Sequence, residues 1–189
     1  VLRGVEEIES ATIVDEKAWN DKRELTGPFD VIGDVHGCRA ELETLLGELG
    51  YDLARDNAGR AVGASHPAGR TAVFVGDLVD RGPDTPGVLR LVMGMTRAGT
   101  ALCVTGNHEN KLVRALDGKK VRIAHGLAES LAQLETEDDD FRKSALDFCR
   151  GLISHYVLDG GRVVVAHAGL EEQYHGPASG RLRAFAIDG

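Results

Sequence analysis

The sequence predicts an α/β fold, and three observations carry that prediction. Short apolar runs recur at Phe29–Ile32, 72–75 and 102–104. Segments with helical spacing lie between them: Leu42, Leu45, Leu46 and Leu49 fall at i, i+3, i+4 and i+7. Clusters of polar and charged residues come directly after the apolar runs, where open α/β sheets place their sites. Composition agrees. Of 189 residues 42% are apolar, enough for the core of one domain, and only 5% are aromatic, so that core is Val, Leu, Ile and Ala.

Taken in order, residues 1–28 read as a charged lead-in or linker, a short helix or two lying on a surface, stopped by Gly27-Pro28. The domain proper is expected over 29–189. The strand at Phe29 is broken by Gly33, and a helix runs from Arg39 to Gly50. Residues 52–69, rich in Gly, Ser, Pro and Asn, read as a loop. A second strand at 72–75 precedes a helix that Asp84 can cap, with Val88, Leu91, Val92 and Met95 on its buried face. A third strand at 102–104 is followed by helices at 109–116, 124–134 and 138–153, the last started by Asp138-Asp139-Asp140. A hairpin closes the pattern, 156–158 and 163–166 around Asp159-Gly160-Gly161. No internal repeat is present.

Several function classes fall away. No apolar run reaches the roughly 18 residues of a membrane span, and the N-terminus lacks the pattern of a signal peptide. Cys38, Cys103 and Cys149 are far apart and odd in number, against a disulfide framework or zinc knuckle, so a reduced cytoplasmic setting is expected. A formal net charge of −8 argues against broad nonspecific nucleic-acid binding, though not against a nucleic-acid substrate held at a cationic metal centre. No G-x-G-x-x-G comes after a strand, which disfavours a dinucleotide-binding fold.

Four clusters carry the chemistry: Gly33-Asp34-Val35-His36-Gly37, Gly76 through Gly82, Gly106-Asn107-His108-Glu109 and Ala166-His167-Ala168-Gly169. Asp34 and His36 are two apart, so on an extended backbone they point the same way and can share a divalent ion. Gly33 and Gly37 would let the chain turn towards it. The Asp77 carboxylate can bridge two ions roughly 3.5–4 Å apart. Asn107 supplies a neutral oxygen and His167 a nitrogen. Such a mixed set suits Mn²⁺, Fe, Zn²⁺ or Ni²⁺ better than Ca²⁺, and Mn²⁺ is the first choice. Arg81 can fork onto phosphate oxygens. His108 can give a proton to a leaving oxygen, and Asp80 could hold its ring in the right tautomer. Arg81, Asn107 and His108 together face the phosphate, and the expected nucleophile is a hydroxide bridging the metals.

A lone Asp-x-His is common in loops and carries little. Four clusters in this order, each after an apolar run, leave small room for coincidence. His66, His125 and His155 read as packing or capping residues, His175 as a surface residue that could reach the site, and Cys38 as a small structural residue. The run Asp138–Asp140 reads as a solvated helix start.

The spellings GDVHG, GDLVDRGP, GNHE and AHAG resemble the calcineurin-like phosphoesterases of the phosphoprotein-phosphatase branch, over about residues 29–170. That resemblance implies a β-sandwich flanked by helices with metals at the strand ends. It implies Asp34, His36 and Asp77 on one ion, Asp77, Asn107 and His167 on the other, and Arg81 and His108 as phosphate clamp and acid. Within the branch, Gly27-Pro28-Phe29-Asp30, Cys38, the run from His66 to Arg70, the run from His125 to Glu129 and Gly180-Arg181-Leu182-Arg183 resemble the phosphatase module of bacterial polynucleotide kinase-phosphatase. The activity this closer resemblance implies is removal of 3′-phosphates and opening of 2′,3′-cyclic phosphates at RNA or DNA ends in repair. Kinase and ligase-like modules in a longer parent chain are then the expected partners, and a homodimer is compatible. The family's later histidine ligand, in a Gly-His-Thr-like motif, has no counterpart here, so a C-terminally truncated piece is expected. The rival readings are a diadenosine tetraphosphate hydrolase or a Ser/Thr protein phosphatase on the same site, and a catalytically impaired phosphate-binding scaffold.

Overall fold

The computed structural model describes residues 18–174 together with 183 and 185–187. Two three-stranded sheets form the frame. The first contains β2 (Phe29–Ile32), β5 (Thr71–Phe74) and β6 (Ala101–Cys103) in that order, all parallel, with Ile32 opposite Phe74 and Ala72 opposite Ala101. The second contains β1 (Asp21–Lys22), β7 (His155–Leu158) and β8 (Val163–Ala166), with β1 parallel and β8 antiparallel to β7. An isolated bridge between Val104 and Ile153 joins the end of β6 to the approach of β7.

Side-chain alternation divides the core in two. Along β5, Ala72 and Phe74 join the helix-covered core, whereas Val73 packs with Leu158 and Val165 between the sheets. Phe29, Val75, Leu102, Tyr156 and Val163 pack against that inter-sheet cluster. Both faces of β5 are therefore buried, the arrangement in which a parallel strand reads as a continuous apolar run. The expected sandwich flanked by helices is the fold observed.

The helices are α1 (Arg39–Glu48), α2 (Thr85–Ala98), α3 (Asn107–Leu116), α4 (Leu127–Glu135) and α5 (Asp139–Gly151). Asp84 caps α2 by accepting from the Gly87 N–H at 2.8 Å, and Asp138 caps α5 by accepting from the Phe141 N–H at 2.7 Å. Helix α5 ends before Ile153 because that residue pairs with Val104. Helix α4 starts at Leu127 because residues 124–126 turn first, with His125 at φ +60° and Gly126 at φ +92°.

Two expectations are corrected. Residues 52–69 are not a loop: β3 (Asp52–Arg55) and β4 (Ala61–Ser65) form an antiparallel hairpin. Its strand Ala-Val-Gly-Ala-Ser has a single branched residue, Val62, among small ones, because β4 lies tight against α2, where a Cβ on Gly94 would strike the Val62 carbonyl. In the lead-in, residues 21–22 pair as a strand with β7 instead of lying on the surface as helix. The helical expectation for 1–17 falls outside the described residues, as do His175 and the stretch 180–182. No helix among the described residues is long and apolar enough to cross a membrane.

Candidate metal centre

Because β2, β5 and β6 run parallel, the loops after them emerge at one edge. The segment after β8 ends at the same place. The Val35 and His36 N–H groups donate to the Asp77 carbonyl at 3.1 and 2.9 Å, and Gly37 donates to Leu78 at 2.8 Å, which locks the first loop onto the second. His36 has φ +46°, so this segment is a turn. The extended-strand argument for Asp34 and His36 is thus replaced by loop-to-loop hydrogen bonding. Gly37, at φ +66°, does the turning, whereas Gly33 has open space around it.

Asp77 lies at the centre. Its Oδ1 accepts the His108 N–H at 3.1 Å. Its Oδ2 stands 3.7 Å from His36 Nε2, 3.8 Å from His108 Nε2 and 3.6 Å from His167 Nε2. These separations are too long for hydrogen bonds and suit atoms sharing an ion bonded at about 2.0–2.2 Å to each. Two groups of possible ligands result, both containing Asp77: His36 with His108, and Asp34 with His167. The expected partition places Asp34 and His36 with Asp77 on one ion and Asn107 and His167 with Asp77 on the other; Asp34 and His36 approach to 3.7 Å. His36 Nδ1 lies 2.8 Å from the Val79 carbonyl and His167 Nδ1 lies 2.8 Å from the Val75 carbonyl. Each ring therefore donates through Nδ1 and presents Nε2 inward.

Orphaned atoms test the fit of a metal. His36 Nε2, Asn107 Oδ1 and Asp80 Oδ1 are buried without a hydrogen-bond partner. Buried polar atoms rarely go unsatisfied, and two of these three belong to expected ligands. The donor set of imidazole, carboxylate and amide oxygen fits a divalent transition ion.

His108 Nδ1 is 2.6 Å from Asp80 Oδ2, and its Nε2 is 3.4 Å from Arg81 Nη2. Arg81 is exposed at the rim. His36, Asp77, Asp80 and Arg81 all adopt positive φ, four of the six non-glycine residues that do so among those described. Such backbone persists only where surrounding contacts hold it.

Those contacts include residues to which sequence reasoning gave no role. Glu109, fully buried, accepts from the N–H groups of Asp77 at 2.8 Å, Leu78 at 2.7 Å and Gly106 at 2.8 Å. Burial first, and the Asp77 charge second, push its carboxyl up. Ser130 Oγ accepts the Asp80 N–H at 2.9 Å, and Gln133 accepts from Thr85 and donates to the Gly82 carbonyl. One signal was in the sequence, since Glu109 ends the GNHE run; that Gly126 has no room for a Cβ against the Arg81 backbone only the structure shows. His66 and His155 serve packing. His66 accepts the Ala68 N–H on Nδ1 at 3.0 Å and faces the Leu49 carbonyl through Nε2 at 3.1 Å. His155 is buried with Nδ1 3.0 Å from Ser154 Oγ, and His125 is exposed. Cys38, Cys103 and Cys149 are free thiols.

A site of this build at the strand ends of such a sandwich defines a metallophosphoesterase. The chain belongs to the calcineurin-like phosphoesterase family, whose model matches residues 27–184. Two similar proteins are the asymmetrical bis(5′-nucleosyl)-tetraphosphatases PrpE of Halalkalibacterium halodurans and Bacillus subtilis, each 38% identical over 165 residues. In both, the alignment covers 85% of this chain and 65% of the relative, so the chain spans just under two thirds of their length. A solved structure provisionally described as a diadenosine tetraphosphatase superposes with TM-score 0.56 at 31% identity, covering 83% of this chain and 57% of that one. A yeast serine/threonine phosphatase, at 19% identity and TM-score 0.53, shares the fold, over 76% of this chain and 38% of its own.

These relatives overturn the RNA 3′-phosphatase reading. The flanking features that favoured it include groups now seen bonded to one another. Asp30 accepts from Tyr51 at 2.9 Å and from Arg70 Nε at 2.7 Å, and Tyr51 packs edge-on against His66. The kinase and ligase-like modules rested on the same resemblance.

Proposed function

We propose that this chain hydrolyses dinucleoside tetraphosphates asymmetrically, adding water across one phosphoanhydride to give a nucleoside triphosphate and a nucleoside monophosphate. The observation that carries this reading is the 38% identity over 165 residues with two proteins of that name. A cavity of about 580 Å³ beside Asp34, His36 and Arg81 also supports it. Its apolar wall of Ile32, Val35, Leu42 and Leu45 suits a nucleoside base, which a bare phosphate would not need.

Asp34, His36, Asp77, Asn107 and His167 would hold two divalent cations, and Mn²⁺ is the first to test. When bound, such ions supply the water of lowered pKa that attacks phosphorus and offset the phosphate's charge. The chain's own side chains do the rest. Arg81 grips two phosphate oxygens from the rim. His108, held by Asp80, hydrogen-bonds the phosphate and donates a proton where the leaving oxygen needs one. Glu109 keeps Asp77 and Gly106 in place.

The test is product analysis. With Mn²⁺, diadenosine tetraphosphate should yield equal ATP and AMP. Two ADP per substrate would overturn the asymmetric reading. Cleavage of a phosphopeptide or a 3′-phosphorylated oligonucleotide, but not of this substrate, would overturn the substrate class. No turnover of any substrate despite Mn²⁺ binding would favour the impaired scaffold.

A further inference from the structure

A second cavity, of about 320 Å³, adjoins the site on its Asn107 side. Asn107, Asn110, Lys111, Arg114, Lys120 and Arg122 line it. Asn107, Lys111 and Arg114 stand four and three residues apart on α3, on one helix face. That face runs away from the site for about 10 Å at the helical rise. Lys120 and Arg122, on the segment after α3, form the facing wall.

The charge here contrasts with that of the chain as a whole, which carries 30 acidic and 22 basic residues. Five arginines elsewhere pair with carboxylates: Arg39, Arg55, Arg70, Arg90 and Arg150. No ion pair ties Lys111, Arg114, Lys120 or Arg122 to a described carboxylate within 4.0 Å. Arg114 also suits the last turn of its helix electrostatically, but that accounts for one cation of four. Like charges gathered around a concave wall repel one another unless a polyanion joins them.

We propose that this groove binds the oligophosphate chain of the substrate, the phosphates beyond the one attacked. The inference rests on the dinucleoside tetraphosphate reading and assigns residues to it. The reacting phosphate sits at the Asn107 end, and successive phosphates extend along Lys111 and Arg114, met from the other side by Lys120 and Arg122. An oligophosphate matches the short groove better than a nucleic acid, whose longer backbone the chain's net charge of −8 disfavours. The groove thus selects oligophosphates over simple monoesters.

The experiment compares wild type with Lys111→Ala/Arg114→Ala and, for the opposite wall, Lys120→Ala/Arg122→Ala. Three of the four side chains are exposed or at the surface and Lys111 is half-buried, so both variants should fold. For each, kcat/KM is measured on diadenosine tetraphosphate and on p-nitrophenyl phosphate. Inorganic tripolyphosphate is tested as a competitive inhibitor of the latter, with Mn²⁺ in excess. The ratio of the two kcat/KM values should fall about tenfold or more, and the tripolyphosphate inhibition constant should rise by a similar factor. Added salt should weaken tripolyphosphate in the wild type and do so less in the variants. Unchanged ratio and inhibition constant in both variants would overturn the groove. If the wild type fails to cleave diadenosine tetraphosphate, the proposed function falls, and the inhibition constant alone decides the groove. A greater loss of affinity for an oligonucleotide or phosphopeptide than for tripolyphosphate would also overturn the assignment.

Discussion

His108 and Asp80 meet at 2.6 Å, Nδ1 to Oδ2, with both side chains sealed from solvent. The bond fixes which nitrogen faces the site. It leaves Nε2 between Asp77 and Arg81, at 3.8 and 3.4 Å. Asp80→Asn is expected to lower kcat on an alkyl phosphate on the order of 10²-fold. His108→Ala should do the same. The loss should be smaller on p-nitrophenyl phosphate and on diadenosine tetraphosphate, whose leaving groups depart as stabilised anions. Equal losses on all three would remove the acid role.

Asp77 joins both possible ligand groups. Asp77→Ala should cut phosphate release about 10³-fold or more while the far-ultraviolet dichroism stays native. Metal dependence should vanish in parallel. EDTA should silence the wild type, with Mn²⁺ restoring it and Ca²⁺ failing to. At a hundredfold excess over Kd, Mn²⁺ should stabilise the wild type by about 2.7 kcal/mol and Asp77→Ala far less. Activity retained in the variant would sink the two-metal arrangement.

Glu109 bonds backbone donors on two loops and reaches no solvent. Glu109→Ala strands those N–H groups in the core and is expected to cost about 3–5 kcal/mol in urea unfolding. A cost below about 1 kcal/mol would show that the loops hold without it.

Asp30 gives the fold a pH dependence. The Arg70 hydrogen bonds hold its carboxyl below the usual range, outweighing the opposing effect of burial. A carboxyl depressed in the folded state stabilises above its unfolded value of about 3.9 and loses that contribution as pH falls through the folded value. Asp30→Asn should therefore cost about 1–3 kcal/mol at pH 7. The gap to the wild type should narrow below about pH 4. Denaturant midpoints between pH 3 and 7 check this, and a gap independent of pH would contradict it.

The sequence by itself determined the strand–helix alternation and the set of residues at the centre. Both are local. Apolar spacing marks α1 and α2, and metal chemistry demands particular side chains at short, fixed spacing after a strand. The β3–β4 hairpin escaped because its small residues answer to the facing helix, a long-range contact. Tertiary structure alone decided which candidate ligands gather around Asp77, because loops separated in sequence meet only where the parallel strands end. It alone decided what holds the strained backbone there, since the Glu109 and Ser130 bonds join residues 31 and 50 positions apart. It also set Asp30 and Arg70, whose sequence context suggests a different substrate, against each other and against Tyr51. A motif specifies which atoms can grip a phosphate. The rest of the substrate must fit the walls around that motif, and those are built from segments brought together by folding.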